Sequence, residues 1–181
     1  HLLLDDNFCC GGDPNFKMNP PLRDPSDRLA LLEHLAGGTI DAVATDHAPH
    51  SPVDKAAGMS HAPFGVIGLE TAFAALLSLV YDGTISFQRA VALMTQGPAQ
   101  VVGQEGYLGT LFAANAPADL CLVDTERRWQ VQASDFRGRS HNSPFLGRWF
   151  RGRVVATFVG GCLRYDLDGR FASPSTKDGG T

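Results

Sequence analysis

The 181-residue sequence has no long apolar run and no surplus of basic residues. No stretch approaches the roughly 18 consecutive apolar residues that a membrane span needs, and the first residues lack the basic, apolar and small-residue succession of a secretory leader. The formal net charge is −4 and 19% of the residues are charged, so nothing favours binding to nucleic acid or to anionic membranes. We therefore expect a globular, cytoplasmic protein.

Several catalytic and metal-binding motifs are also missing. The four cysteines, Cys9, Cys10, Cys121 and Cys162, form no Cys-x-x-Cys pair, so we expect free thiols, with Cys121 acting as a small apolar residue in its apolar run. There is no Gly-x-Ser-x-Gly elbow, and no glycine-rich loop is followed by the Lys and Ser/Thr of a phosphate site. Serine-hydrolase and nucleotide-phosphate chemistry are therefore disfavoured.

The most informative segment is the hexapeptide Thr-Asp-His-Ala-Pro-His at residues 45–50, which directly follows the apolar run 40–44. Small and β-branched apolar residues that stop at Asp-His-x-Pro predict a buried strand, because Pro49 cannot continue a ladder. The strand would deliver Asp46 to its carboxyl end, which is where α/β barrels keep their catalytic groups.

Helix, turn and strand signals alternate before residue 106. Pro25-Ser26-Asp27 supplies a cap and an acidic first turn, and leucines at helical spacing continue to Gly37-Gly38. The strand 40–44 follows, which makes a parallel αβ step. The other predicted elements are a strand-like segment over 15–19 and an irregular connection over 51–68. Three more helices are predicted: one over 69–81, a second that begins at a Ser86 cap, and a short third from Gly97 to near Gly103.

The composition changes from residue 106 onward. Glycine, threonine, valine and phenylalanine rise, and the candidate strands are short: 120–123, 154–159 and 163–166. We therefore predict βα units over residues 1–105, a small β module over residues 106–172 and a polar tail over residues 173–181.

A candidate site follows from this arrangement. Asn19 and Asp46 are predicted to end neighbouring parallel strands at one edge of the sheet, and His50 follows Asp46 after a tight proline turn. A carboxylate beside imidazoles suits metal-assisted hydrolysis, because one oxygen can bind Zn²⁺ while the other takes a proton from the metal-bound water. The residues alone leave another interpretation open, in which Asp46 caps a turn and the histidines are ordinary loop residues.

Three sequence blocks, in order, resemble the C-terminal half of bacterial-type dihydroorotases. They are Lys-Met-Asn-Pro-Pro-Leu-Arg at residues 17–23, the hexapeptide at 45–50, and Pro-Phe-Gly-Val-Ile-Gly-Leu-Glu-Thr at 63–71. The resemblance covers nearly the whole chain and continues through residues 118–120, 142–145 and 152–161.

This resemblance implies a cyclic amidohydrolase with a (β/α)8 TIM-type barrel, a dinuclear zinc centre and a small β-sandwich. The expected fold class is therefore α/β, with this chain forming the C-terminal part of the barrel followed by the β-sandwich-like module. The implied reaction is the reversible hydrolysis of L-dihydroorotate to N-carbamoyl-L-aspartate in de novo pyrimidine biosynthesis. Asp46 is then expected to be both a metal ligand and the general acid/base.

The resemblance also implies substrate contacts at Asn19 and His50 and through backbone groups of Pro63, Phe64 and Gly65. His47 is expected to face away from the metal and to support the site from outside. In this family the remaining metal ligands are a His-x-His on the first strand, a Lys or Asp of the fourth and histidines of two further strands. Neither these ligands nor the family's substrate-binding arginine can lie in this chain. We therefore expect the chain to be inactive by itself.

Two alternatives stay open. Hydantoinases and allantoinases share the Ser/Thr-Asp-His-x-Pro element, although the second histidine after Pro49 and the Asn-Pro-Pro-Leu block favour dihydroorotase. Some dihydroorotase-like chains are non-catalytic partners of aspartate transcarbamoylase, and the presence of Asp46, Asn19 and His50 argues against that role. The sequence leaves open the number of metals and the choice between a homo-oligomer and a complex with aspartate transcarbamoylase.

Overall fold

The computed structural model describes residues 1–106 and 117–171. The predicted tail, residues 173–181, and part of the predicted boundary near residue 106 lie outside them. No helix in the described ranges is both long and apolar enough to cross a membrane. The elements are α1 (Pro25–Gly37), α2 (Pro52–Lys55), α3 (Gly58–His61), α4 (Ala72–Tyr81), α5 (Phe87–Met94), α6 (Gln96–Val101), β1 (Leu120–Gln130), β2 (Trp149–Val159), β3 (Cys162–Asp166) and the 3-10 helices Asp6–Gly11, Pro14–Phe16 and Ala133–Asp135.

Local capping explains where the helices begin. Asp24 Oδ1 accepts hydrogen bonds from the backbone N–H of Ser26 (2.8 Å) and Asp27 (3.0 Å), and Pro25 occupies the first helical position of α1. The helix is confirmed, with its cap at Asp24 instead of inside the predicted Pro-Ser-Asp triplet. The Ser86 cap of α5 is also confirmed, since its Oγ accepts from Arg89 N at 3.1 Å.

Two predicted boundaries differ from the structure. The helix predicted over 69–81 begins only at Ala72, and Leu69 stays exposed before it. The connection 51–68, predicted as irregular, contains α2 and α3. A capping box between Ser51 and Asp54 starts α2, because each side chain accepts from the other residue's backbone N–H.

The predicted buried strand over 40–44 is wrong for the described residues: the segment belongs to no ladder and is only partly buried. Val43 N instead donates to Leu93 O at 3.0 Å, and the sole pairing nearby is a parallel bridge between His47 and Val66. A ladder needs a neighbouring strand, and the described residues supply only this bridge. The barrel is therefore not confirmed.

The strand-like segment predicted over 15–19 is also wrong at its start. Asp13 Oδ1 accepts from Asn15 N at 2.9 Å and caps the 3-10 helix Pro14–Phe16. Such a local side-chain bond competes with extended pairing, and the chain turns there instead of pairing.

Arg89 has a structural role that the sequence does not indicate. Its Nε donates to Leu35 O at 3.3 Å, and its Nη2 donates to Ile40 O. The half-buried guanidinium therefore ties the end of α1 and the start of the 40–46 segment to α5.

The described residues of the predicted β module form one antiparallel sheet in the order β1-β2-β3. Leu122 pairs with Ala156, and Ala156 pairs in turn with Asp166 across β2. β1 extends well past the predicted 120–123, and a second sheet that would make a sandwich is not confirmed in the described residues. Cys121, expected to act as a small apolar residue, is a free and exposed thiol with its Sγ 3.5 Å from Thr157 Oγ1.

Helix α4 lies between two apolar clusters and joins the helical part to the sheet. Leu76 and Leu79 pack in the first cluster, and Ala74 packs in the second. Full burial of a leucine side chain contributes about 2 kcal/mol, so α4 is held firmly in the first cluster while Ala74 contacts the second. The first cluster comprises Leu32, Leu35, Leu76, Leu79, Ile85, Ala90 and Leu93, and the second Ile67, Ala74, Trp129, Val131, Phe136 and Phe150.

A close contact at Gly97 generates a stability prediction. A Cβ on Gly97 would lie 1.9 Å from the backbone oxygen of Asp41, whereas a Cβ on Gly37, at the end of α1, would meet nothing within 4 Å. We expect Gly97→Ala to lower the free energy of unfolding by about 1–3 kcal/mol, because backbone must move. Gly37→Ala, the matched control, should not lower the free energy of unfolding. Urea unfolding followed by circular dichroism measures both, and equal stabilities would contradict the contact.

Candidate active site

A cavity of about 280 Å³ opens between the hexapeptide and the segment that ends the long connection. Three of the predicted site residues, Asp46, Asn19 and Gly65, line it together. Pro144 and Phe145, from the segment that precedes β2, line it as well. The structure thus brings these residues, from four separate parts of the sequence, to one concave surface.

Asp46 has an unusual backbone conformation. Its φ of 45° lies in the left-handed region, and no other non-glycine residue among those described has a positive φ. Aspartate tolerates this region better than most side chains, but such conformations still cost about 1–3 kcal/mol and concentrate at functional sites. The side chain is exposed and makes no hydrogen bond or ion pair within residues 1–106 and 117–171. It is therefore available to a ligand.

His47 supports the site through the backbone. Its Nδ1 accepts hydrogen bonds from the N–H groups of Gly68 (3.2 Å) and Leu69 (3.4 Å). A neutral imidazole that accepts at Nδ1 carries its proton on Nε2, so neither nitrogen is then free to bind a metal. This geometry agrees with the expectation that His47 acts from outside the site.

The hexapeptide runs beside residues 65–67, and Gly65 permits the close approach. Ala48 N donates to Val66 O at 2.9 Å, and Gly65 N donates to Lys17 O at 3.0 Å. Gly65 has a φ of 113°, and a Cβ there would lie 2.5 Å from the Cβ of Ala48. Any side chain at residue 65 would therefore push the two segments apart.

Two lysines hold the connection around Pro63 and Phe64. Lys17 Nζ donates to Ser60 O at 3.2 Å and lies 4.6 Å from the centre of the Phe64 ring. Lys55, only 6% exposed, donates from Nζ to Pro63 O at 3.0 Å. Burial, and secondarily the Lys17 ammonium, lower the pKa of Lys55.

The remaining predicted substrate contacts lie outside this cavity. His50 Nε2 is 2.8 Å from Phe64 O, and the ring lines a separate cavity of about 310 Å³ together with Lys55 and Asn142. Phe64 is 56% exposed, and neither Phe64 nor Pro63 lines the cavity that contains Asp46. Of the predicted set, Asp46, Asn19 and Gly65 therefore share one cavity and His50 lines another, while Pro63 and Phe64 line neither.

Asn142 is a residue that the sequence did not single out. It is 6% exposed and forms side-chain hydrogen bonds with Ala48, His50 and Gly65. It stands in the 142–145 block that carries the resemblance, which is a weak signal. Its partners lie 77 to 94 residues away, so the sequence gives no indication of them.

Residues 19–164 match the model of the amidohydrolase family. The chain belongs to this family. Over 167 residues it is 46% identical to the dihydroorotase of Bacillus caldolyticus, an alignment that covers 92% of this chain and 38% of that protein. Over 169 residues it is 43% identical to the dihydroorotase of Bacillus cereus strain B4264, an alignment that covers 93% of this chain and 39% of that protein. The predicted similarity to dihydroorotases is confirmed, and this amidohydrolase chain spans under two-fifths of these relatives.

Solved structures of related amidohydrolases share this architecture. The L-hydantoinase of Arthrobacter aurescens superposes with a TM-score of 0.85 at 31% identity, covering 95% of this chain and 39% of that one. The D-hydantoinase of a Thermus species superposes with a TM-score of 0.80 at 26% identity, covering 96% of this chain and 39% of that one. Both proteins are hydantoinases by name, and this chain is similar in fold to part of each.

The metal expected for this amidohydrolase chain can be tested against its side chains. No group of three or more His, Cys, Asp or Glu side chains suited to a metal ion occurs in the part of the chain that the structure describes. Zinc sites use three or four protein ligands, and Asp46 is a single carboxylate whose neighbour His47 is engaged by the backbone. The described residues therefore do not fit a zinc site by themselves.

The lowered pKa of Lys55 generates a prediction with a definite sign. Burial disfavours the ammonium, so the folded chain binds this proton more weakly than the unfolded chain does. Stability contributed through Lys55 should therefore rise with pH between its lowered folded value and the ordinary value of 10.5. As the pH rises through that window, the free energy of unfolding of the wild type should increase relative to that of Lys55→Met.

Carbon NMR of Lys55 Cε measures the titration directly. The midpoint in the folded chain should lie below the midpoint of the same carbon in concentrated urea. Equal midpoints, or a higher folded one, would show that the Lys55 ammonium is not destabilised by burial.

Proposed function

We propose that these residues are part of a dihydroorotase, which hydrolyses the ring amide of L-dihydroorotate to N-carbamoyl-L-aspartate and closes the ring in reverse. Its place would be de novo pyrimidine biosynthesis in the cytoplasm. The observation that carries the proposal is Asp46, an exposed carboxylate in a left-handed backbone conformation on the cavity that Asn19 shares. The 43–46% identity to dihydroorotases over more than 90% of this chain supports the assignment.

Asp46 is proposed as the general base and acid. As water adds to the ring carbonyl carbon, its proton passes to the Asp46 carboxylate. The carbon–nitrogen bond of the ring then breaks, and the same proton passes to the departing nitrogen. Asp46 is suited to this exchange because no described side chain or backbone group occupies its oxygens.

Substrate binding is proposed at the residues around Asp46. The Asn19 side chain is an uncharged donor on the same cavity, suited to a carbonyl or carboxylate oxygen of the substrate. Backbone groups of Pro63, Phe64 and Gly65 are proposed to face the ring. His50 is proposed to bind the substrate as well, which requires that its Nε2 exchange Phe64 O for the ligand.

Zinc is proposed as the metal of the complete enzyme, with Asp46 as one ligand and the others outside this chain. We expect residues 1–181 with added Zn²⁺ to show no turnover, because one carboxylate does not complete a zinc site.

Hydantoinase activity is the second candidate, and the L-hydantoinase similarity, at a TM-score of 0.85, is the observation that favours it. Comparing kcat/KM of the full-length protein on L-dihydroorotate, hydantoin and allantoin separates the two activities. No turnover of any of them, together with co-purification with aspartate transcarbamoylase, would support the non-catalytic partner instead. Size-exclusion chromatography would distinguish that complex from a homo-oligomer.

The role of Asp46 is tested by Asp46→Asn in the full-length protein. Asparagine tolerates the left-handed backbone and keeps the shape, but it cannot accept a proton at neutral pH. We expect kcat on L-dihydroorotate to fall by about 10²–10⁴-fold while Tm stays close to that of the wild type. Asp41→Asn is the matched control, since Asp41 is an exposed aspartate of the same segment. Unchanged turnover, or loss of the fold, would argue for a structural Asp46.

A further inference from the structure

Asn142 stands out as a buried polar side chain whose bonding capacity is met by distant segments. It lies between the 3-10 helix Ala133–Asp135 and β2, on the sheet side of the molecule. Its Nδ2 donates to Ala48 O at 3.0 Å and to Gly65 O at 3.3 Å, and its Oδ1 accepts from His50 N at 3.1 Å. Its backbone oxygen accepts from Ile67 N at 3.0 Å.

The partners require a carboxamide in one orientation. Two carbonyl oxygens face one end of the side chain and a backbone N–H faces the other, so Nδ2 must donate and Oδ1 must accept. Aspartate would keep the acceptor but set a second oxygen against two carbonyls. Alanine would leave three backbone groups without this partner, one of them buried and two partly buried, and an unpaired group away from water is costly.

The four contacts join two segments that meet at the candidate site. Ala48 and His50 belong to the hexapeptide, two and four residues after Asp46, while Gly65 and Ile67 belong to the segment that lines the same cavity. The two segments are also linked directly, by the bridge at His47 and Val66 and by contacts of the His47 and His50 rings with the backbone of residues 64–69. Asn142 adds four hydrogen bonds from a third segment, and these help to set the separation of the first two.

Resting on the proposed dihydroorotase activity, we propose that Asn142 is a positioning residue, which holds the hexapeptide against residues 65–67 and so fixes Asp46 relative to the substrate-facing backbone at Gly65. The small sheet thereby acts on the reaction through a side chain that does not touch the substrate. The adjoining Pro144 and Phe145, which line the Asp46 cavity, extend the same contact.

The test uses Asn142→Asp and Asn142→Ala in the full-length protein. At a temperature where circular dichroism shows each variant fully folded, both should lower kcat on L-dihydroorotate about 10- to 100-fold, as misplacement of a reacting group does. kcat and kcat/KM should fall together, because the lost contribution is made in the transition state.

Two controls separate positioning from stability and charge. Ile85→Ala removes apolar contacts from the first cluster, away from Asn142, and gives a variant of lowered Tm. Gln88→Glu makes the same amide-to-carboxylate change at an exposed side chain of α5. Both should keep kcat within about twofold of the wild type under the same folded conditions, where stability alone does not limit turnover.

The outcomes decide between the hypotheses. Wild-type kcat in the Asn142 variants, or a loss no larger than in Ile85→Ala, overturns the positioning role, and so does failure of both variants to fold, since Asn142 is then structural. If the wild-type protein itself does not turn over L-dihydroorotate, the proposed function fails instead. Hydrogen exchange then tests Asn142 independently: Asn142→Ala should speed exchange at His50 N and Ile67 N and leave β1 and β2 unchanged, and equal exchange rates overturn the inference.

Discussion

The candidate site depends on the close approach of the hexapeptide to residues 65–67. Ala48 N bonds Val66 O, and the absence of a side chain at Gly65 lets the two backbones come within reach. Without this approach, Asp46 and Gly65 would not share a cavity, and His47 could not accept from the backbone beyond Ile67. One pairing therefore sets the position of the carboxylate, the supporting imidazole and the substrate-facing loop.

That pairing is stabilised from outside by packing. Ile67 is buried in the second cluster, and α4 joins this cluster to the helical one through Ala74 on one side and Leu76 and Leu79 on the other. Apolar burial of this kind is not directional, so it cannot set the register of the two segments by itself. The polar contacts of the buried Asn142 and Lys55 and of the exposed His47 supply that direction.

The elements with local causes were predictable from the sequence. The α5 cap at Ser86 and the helix after Pro25 depend on residues within one turn, and both were predicted. The segment 40–44 was predicted wrongly because an apolar run fixes a preference for burial, whereas a strand also needs a neighbour to pair with. For the site, the prolines that follow Asn19 and Asp46 pointed to both residues, and both do line one cavity, although the strands expected to carry them are not formed in the described residues. The orientation of His50 and the role of Asn142 could not be predicted, because their partners are distant in sequence.

The strained backbone of Asp46 and the two lysines that hold the connection 51–68 both leave the Asp46 carboxylate free within the described residues. A left-handed aspartate persists only where surrounding contacts outweigh its cost, and the bridge at His47 supplies them immediately after it. The neighbouring connection is held by Lys17 and Lys55, which bond backbone oxygens instead of the carboxylate. Had either ammonium paired with Asp46, it would have lowered the basicity of the carboxylate and occupied the oxygens that a base needs. The loop is thus fixed by cations without neutralising the group on which the proposed chemistry depends.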